Sequence, residues 1–122
     1  MNDPQDLAQQ TTIEVFDLID IRVGKVVACE PFPEARKPAY KLTIDFGPLG
    51  IKRSSAQLTT YYRPEDLVDQ LVLAVVNFPP RKIAGFRSEV LVLGLPGVGM
   101  ARQGSVVLLK PERPVELGAR VF

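Results

Sequence analysis

The sequence predicts a mainly β fold, a small and partly open five-stranded barrel of the OB type with short helices and terminal extensions. Three observations predict it. About five segments carry β-type patterning within a chain of 122 residues, one helical interruption falls in their midst, and two of the strands are apolar at every position.

The elements follow in chain order. Residues 1–11 are polar and aperiodic, which reads as a flexible tail. Thr12 can cap a short helix running to about residue 18, with Ile13, Phe16 and either Leu18 or Ile19 turned inward. The domain division places an acidic N-terminal tail at 1–13 and one barrel domain at 14–122. Residues 21–29 form a long strand, and Gly24 inside it marks an expected bulge or barrel bend. Pro31 and Pro33 end that strand, and residues 34–38 form a loop.

The clearest strand is 40–46, where Tyr40, Leu42, Ile44 and Phe46 alternate with polar residues, so one face is core and the other is wet. Gly47, Pro48, Leu49 and Gly50 have turn composition, which makes 40–46 and 51–54 a hairpin. At Arg63-Pro64-Glu65-Asp66-Leu67 the pattern changes to a helix start, with proline in the first turn and acids behind it. Strands at 71–77 and 90–95 flank a loop at 78–87, and a last strand at 106–109 follows a Gly-rich turn at 94–104. An antiparallel barrel strand normally wets one face, yet 71–76 and 90–93 are apolar throughout. Either the terminal segments or a second copy must cover them, and a homodimer is the expected solution.

Composition narrows function. The chain has no histidine and a single cysteine, Cys29, which removes the usual general base, the Ser and Cys triads, internal disulfides and thiolate zinc clusters. Cys29 follows Val26, Val27 and Ala28 and reads as a small buried hydrophobe. No pair of acids stands out, so the expectation is a non-enzyme with no metal and no cofactor. No run approaches the roughly 20 apolar residues of a membrane span, and the first ten residues lack the basic and apolar parts of a secretory signal. The expectation is therefore a cytoplasmic protein without membrane insertion. Net charge is +1, but residues 1–20 hold five acids and no base, leaving 15 Lys and Arg against nine acids in the remainder. That basic body suits an anionic ligand or a merely solvated face.

Several motifs have two readings. Gly97-Val98-Gly99-Met100-Ala101-Arg102 lacks both the third glycine and the βαβ setting of a dinucleotide loop, and it reads as a hairpin connection. Lys52, Arg53, Arg81, Lys82 and Arg87 make either a phosphate footprint or solvated surface. Tyr61, Tyr62, Phe78 and Phe86 can stack on bases or pack in the core. Arg53-Ser54-Ser55-Ala56-Gln57-Leu58 places small polar groups where a strand gives way to a helix, more of them than capping requires. The segment 77–89, from Asn77 through Phe78, Pro79, Pro80, Arg81, Lys82, Ile83, Ala84, Gly85, Phe86, Arg87 and Ser88 to Glu89, combines a stiff bend with bases and exposed apolar residues. Loops of that chemistry bind ligands more often than they merely connect.

The same two segments, together with Asp20-Ile21-Arg22-Val23-Gly24-Lys25-Val26, Lys41-Leu42, Asp45-Phe46-Gly47 and the run from Val90 to Gly94, resemble the CsaA family over residue 14 to the C-terminus. The wider superfamily includes a domain appended to some methionyl-tRNA synthetases and part of the phenylalanyl-tRNA synthetase beta subunit. The resemblance implies an OB-fold homodimer with tRNA-type nucleic-acid binding and binding of unfolded or export-bound polypeptides. Ser88 matches the superfamily serine associated with tRNA contact. Leu91 stands where the synthetase domains have methionine, and Glu89 lies between; both features resemble CsaA more than the synthetases. The leading expectation is a chaperone whose peptide site has Phe78, Ile83 and Phe86 as apolar walls and Ser54, Gln57, Asn77 and Ser88 as polar anchors. The alternative is an RNA-binding module acting through Lys52, Arg53, Arg81, Lys82, Arg87 and Ser88.

Overall fold

The computed structural model describes residues 6–98 and 105–122. In chain order these form α1 (Ile13–Phe16), β1 (Ile21–Pro31), β2 (Tyr40–Asp45), a 3-10 turn (Gly47–Leu49), β3 (Ile51–Ala56) and α2 (Pro64–Leu67), followed by β4 (Leu71–Val75), β5 (Arg81–Ile83), β6 (Phe86–Ser88), β7 (Leu91–Val92), β8 (Gly94–Pro96) and β9 (Val106–Leu108). Five strands pair antiparallel in the order β3-β2-β1-β4-β7, and two short hairpins, β5-β6 and β8-β9, attach to this sheet. The sheet curls into the nearly closed five-stranded barrel that the strand pattern predicts.

Alternation along β2 sets the core. Leu42, Ile44 and Phe46 are fully buried, and they meet Val26 of β1, Val72 and Ala74 of β4, and Leu67 of α2. α2 plugs one end of the barrel with Leu67 because Pro64 presets its first turn and the Asp66 carboxylate accepts the Arg63 N–H at 2.9 Å. At Gly24 an added methyl group would stand 2.5 Å from Ile44 and 2.7 Å from the Phe46 ring. Glycine there lets β2 fold tightly over β1.

Several expectations shift in detail. The bulge in β1 falls at Val27, where the pairing with β2 slips between Val26 and Ala28, whereas Gly24 lies in regular register opposite Val72. Close packing, not an extra residue, is what Gly24 supplies. α1 is a single turn, and its apolar side chains face outward: Ile13 is 70% exposed, and Val15, Phe16 and Leu18 are exposed too. The expected loop at 78–87 contains the β5-β6 hairpin, whose two turn residues, Ala84 (φ 47°) and Gly85 (φ 81°), both adopt the left-handed conformation of a tight hairpin turn. The single strand expected at 90–95 is split into β7 and β8 at Leu93. Of the Gly-rich turn at 94–104, residues 94–96 form β8, while the part from Gly99 to Gly104 lies outside the described residues.

The terminal extensions are tied to β1. Gly118 and Val121 donate N–H to the carbonyls of Val23 and Ile21, both at 2.8 Å. Asn77 clamps the other extension, accepting the Asp20 N–H at 2.9 Å and donating to the Leu18 carbonyl at 2.8 Å. Arg22 and Arg120 join the two extensions: Arg22 bonds the Asp20 carboxylate and the Gly118 carbonyl, and Arg120 the Asp17 carbonyl. These segments border β1 and leave Leu91 of β7 47% exposed.

Candidate functional site

The site lies where the barrel fails to close with a backbone ladder. β3 and β7 are the two ends of the sheet order. At one end of the seam between them, side chains replace ladder partners. Arg53 donates its N–H to the Glu89 carboxylate at 3.0 Å and accepts the Glu89 N–H at 2.8 Å. Ser55 donates its N–H to the Ser88 hydroxyl at 2.9 Å, and the buried Ser54 hydroxyl donates to the Val90 carbonyl at 3.0 Å. Beyond Ser55 the two strands part, and a groove of about 460 Å³ opens between Ser55, Ala56, Gln57 and Leu58 on one wall and Leu91, Val92 and Leu93 on the other. A cleft of about 220 Å³ shares Ser55, Arg81, Ile83 and Leu91 with it and extends it under Phe78 and Pro79. Together they have the size and apolar character of a ligand site.

The hairpin β5-β6 forms the roof. Its inner face carries Phe86, which packs edge-on against Phe32 with ring centroids 5.4 Å apart in a small core that includes Ala39. The Arg53 guanidinium sits 4.8 Å from the Phe86 ring centre, and the Lys41 ammonium 4.8 Å from that of Phe32, so both cations lie on aromatic faces. With the hairpin thus anchored, Arg81 and Ile83 face the groove.

The residues singled out from sequence separate into distinct places. Phe78, Ile83, Gln57 and Arg81 line the groove or its extension. Ser88 also borders the extension, but its hydroxyl is engaged by Ser55. Ser54 is fully buried in the seam, Phe86 is buried beneath the hairpin, and Asn77 belongs to the N-terminal clamp. Among the basic residues, Arg53 is paired with Glu30 at 3.0 Å. Lys52 alternates onto the opposite face of β3. Lys82 and Arg87 are direct cross-strand neighbours on the outer face of the hairpin, with no acidic partner among the described residues.

Arg36 and Lys37 were not singled out, yet the loop between β1 and β2 brings both to the groove beside Arg81. None of these three has an ionic partner among the described residues. Their signal in the sequence was two adjacent bases between Pro33 and Pro38, in a loop short enough to be held at the barrel rim. The groove thus has an apolar lining and a basic lip. No group of three or more His, Cys, Asp or Glu able to hold a metal occurs among the described residues, and no helix there is long and apolar enough to cross a membrane. Cys29 is half-buried against the core, and burial, with Glu30 and Glu65 adding to it, pushes its thiol up to about 11.

A five-stranded barrel with an apolar, base-rimmed opening beside its edge strands has the form of a ligand-binding domain. Residues 21–120 match the family described as "Putative tRNA binding domain", and the chain belongs to that family, on the branch that contains the CsaA proteins. The chaperone CsaA from Bacillus anthracis str. Ames superposes with a TM-score of 0.84 at 50% identity, covering 93% of this chain and 100% of that one. The CsaA chaperone protein from Picrophilus torridus does so with a TM-score of 0.84 at 46% identity, over the same shares of the two chains. Methionine–tRNA ligase 1 of Sorangium cellulosum is 38% identical over 117 residues, 96% of this chain and 16% of the ligase. The chain therefore spans about one sixth of the length of that ligase.

Proposed function

We propose that the protein is a CsaA-like molecular chaperone, a non-enzymatic, cytoplasmic homodimer that binds unfolded or export-bound polypeptides in the groove between β3 and β7. The observation that carries this reading is the groove itself: an apolar lining built from Leu58, Leu91 and Val92 on its walls and Ile83 on its roof, in an otherwise well-packed barrel. Such a surface gives sequence-tolerant affinity, which a binder of many unfolded chains needs. The names of the two CsaA structures support the chaperone role, and the outward apolar side chains of α1 support self-association. A dimer would present two grooves and add avidity for one long client. The test is binding of a fluorescent unstructured peptide together with suppression of aggregation of a denatured protein. Ile83→Asp should weaken peptide binding at least about tenfold, since it places a charge in the apolar lining of the groove. Unchanged affinity would remove the groove as the site.

A second reading, RNA binding, is favoured by one specific observation. Lys82 and Arg87 oppose each other across the hairpin without an acid between them, an arrangement that costs stability unless an anion relieves it. Together with Arg81 they would contact tRNA phosphates, in keeping with the family's description and with the synthetase relatives. This predicts a log K that falls by roughly 0.7 to 0.9 per phosphate contact per decade of salt. A salt titration of tRNA and peptide on one sample separates the two readings.

A further inference from the structure

We propose that the groove takes an acidic polypeptide segment by strand addition, as an extra strand laid along the free edges of β7 and β3. The proposal rests on the polypeptide-binding reading and assigns it a mode and a client chemistry. Its basis is the parity of the hydrogen-bond ladders. In an antiparallel pair, residues alternate between bonding the neighbouring strand and pointing their N–H and C=O away from it. Leu93 donates its N–H to the Leu73 carbonyl at 2.9 Å, and the register pairs Val92 with Ala74. The backbone N–H and C=O of Val92 therefore point away from β4, toward β3. At Val90 that outward carbonyl is taken by Ser54. β7 forms no ladder with β3, and at Val92 this outward-facing backbone borders the open groove.

β3 shows the complementary parity. Phe46 donates to the Gly50 carbonyl in the same register that pairs Tyr40 with Ala56, so the odd residues of β3 face outward. Arg53 and the Ser55 N–H are met by Glu89 and Ser88, whereas the Ser55 carbonyl lies 3.1 Å from the Ser54 hydroxyl, whose single proton the Val90 carbonyl also draws, and keeps a lone pair for a further donor. An extended peptide in the groove can therefore accept from Val92, donate to Ser55 and turn alternate side chains onto the apolar lining. Its other side chains meet Arg36, Lys37 and Arg81, three cations without ionic partners among the described residues. Charge complementarity selects a strand that alternates apolar and acidic residues.

The experiment uses the full chain and a short fluorescent peptide of alternating Val and Glu, one with Lys in place of Glu, and one N-methylated at alternate backbone nitrogens. The Val/Glu peptide should bind, slow hydrogen exchange at the Val92 amide at least about tenfold, and lose about tenfold in affinity both on N-methylation and on Glu→Lys exchange. If it binds equally well when N-methylated, or leaves Val92 exchange unchanged, strand addition is wrong while polypeptide binding stands. If the Lys peptide binds as tightly, the acidic preference is wrong. If no peptide binds, both readings fall. If tRNA and not peptide protects Val92, and Arg81→Glu abolishes that protection, the groove is an RNA site and the proposal is overturned.

Discussion

Ser54, Ser88 and Glu89 hold the barrel seam with side-chain oxygens, so each should matter to stability more than its size suggests. Ser88→Ala leaves the Ser55 N–H without its acceptor in a mostly buried position, and chemical denaturation should show a loss of about 1–3 kcal/mol. In sequence, these hydroxyls looked like ligand anchors, because a polar residue where a strand ends announces an unsatisfied partner without saying whether that partner is a ligand or the chain itself. Small apolar neighbours made Cys29 read as a buried hydrophobe, and the fold leaves it half-buried. Its raised pKa gives a test. The folded state holds the proton more tightly than the unfolded state, so this contribution to stability is full below the unfolded value of 9.0 and is lost as pH rises toward about 11. Alkylation of the native thiol at pH 9 should accordingly be much slower than in denaturant, and equal rates would contradict the burial.

At the level of elements, alternation made β2 and its hairpin with β3 readable, and proline with trailing acids made α2 readable. The β5-β6 hairpin was hidden because its strands have only three residues each and its turn, Ala84-Gly85, lacks the Asn-Gly or Asp-Gly signal. Ala84 at φ 47° is the cost of that choice. Ala84→Asn or Ala84→Gly should raise the unfolding free energy by about 0.5–1 kcal/mol, measured by thermal and denaturant melts. α2 carries a pH signature. The hydrogen bonds from the Arg63 backbone N–H and then its side chain hold the Asp66 carboxyl below the usual carboxylate range. Its stabilising effect is therefore present above the unfolded carboxylate pKa and disappears as pH falls through the lowered folded value. Asp66→Asn should flatten the acid limb of the stability curve there, leaving neutral-pH folding cooperative.

For the whole molecule, strand count and the single mid-chain helix were enough to predict the barrel, because period-two burial and short turns leave few arrangements of five antiparallel strands. The groove was only half visible. Ile83, Phe78 and Gln57 were identifiable from their own segments, but the convergence of Arg36 and Lys37 with Arg81 depends on the β1–β2 loop and the β5-β6 hairpin meeting at one rim, which no local pattern encodes. The apolar strands left an expectation of self-association. Sedimentation at micromolar concentration should give twice the mass of 13.5 kDa, and Ile13→Asp with Leu18→Asp should shift it to the monomer if α1 forms the contact.

A backbone ladder exists whatever side chains hang from it, but of the seam bonds made by Arg53, Ser54 and Ser55 only the one from the Glu89 N–H to the Arg53 carbonyl joins backbone to backbone, and the others need the side chains of Ser54, Ser88 and Glu89. The protein therefore carries a zip fastener written in its side chains. Shortening it by one tooth at Ser88 lengthens the open stretch between β3 and β7, and adding a tooth past Ser55 would close it. The aperture of the barrel should therefore respond to single substitutions along this seam.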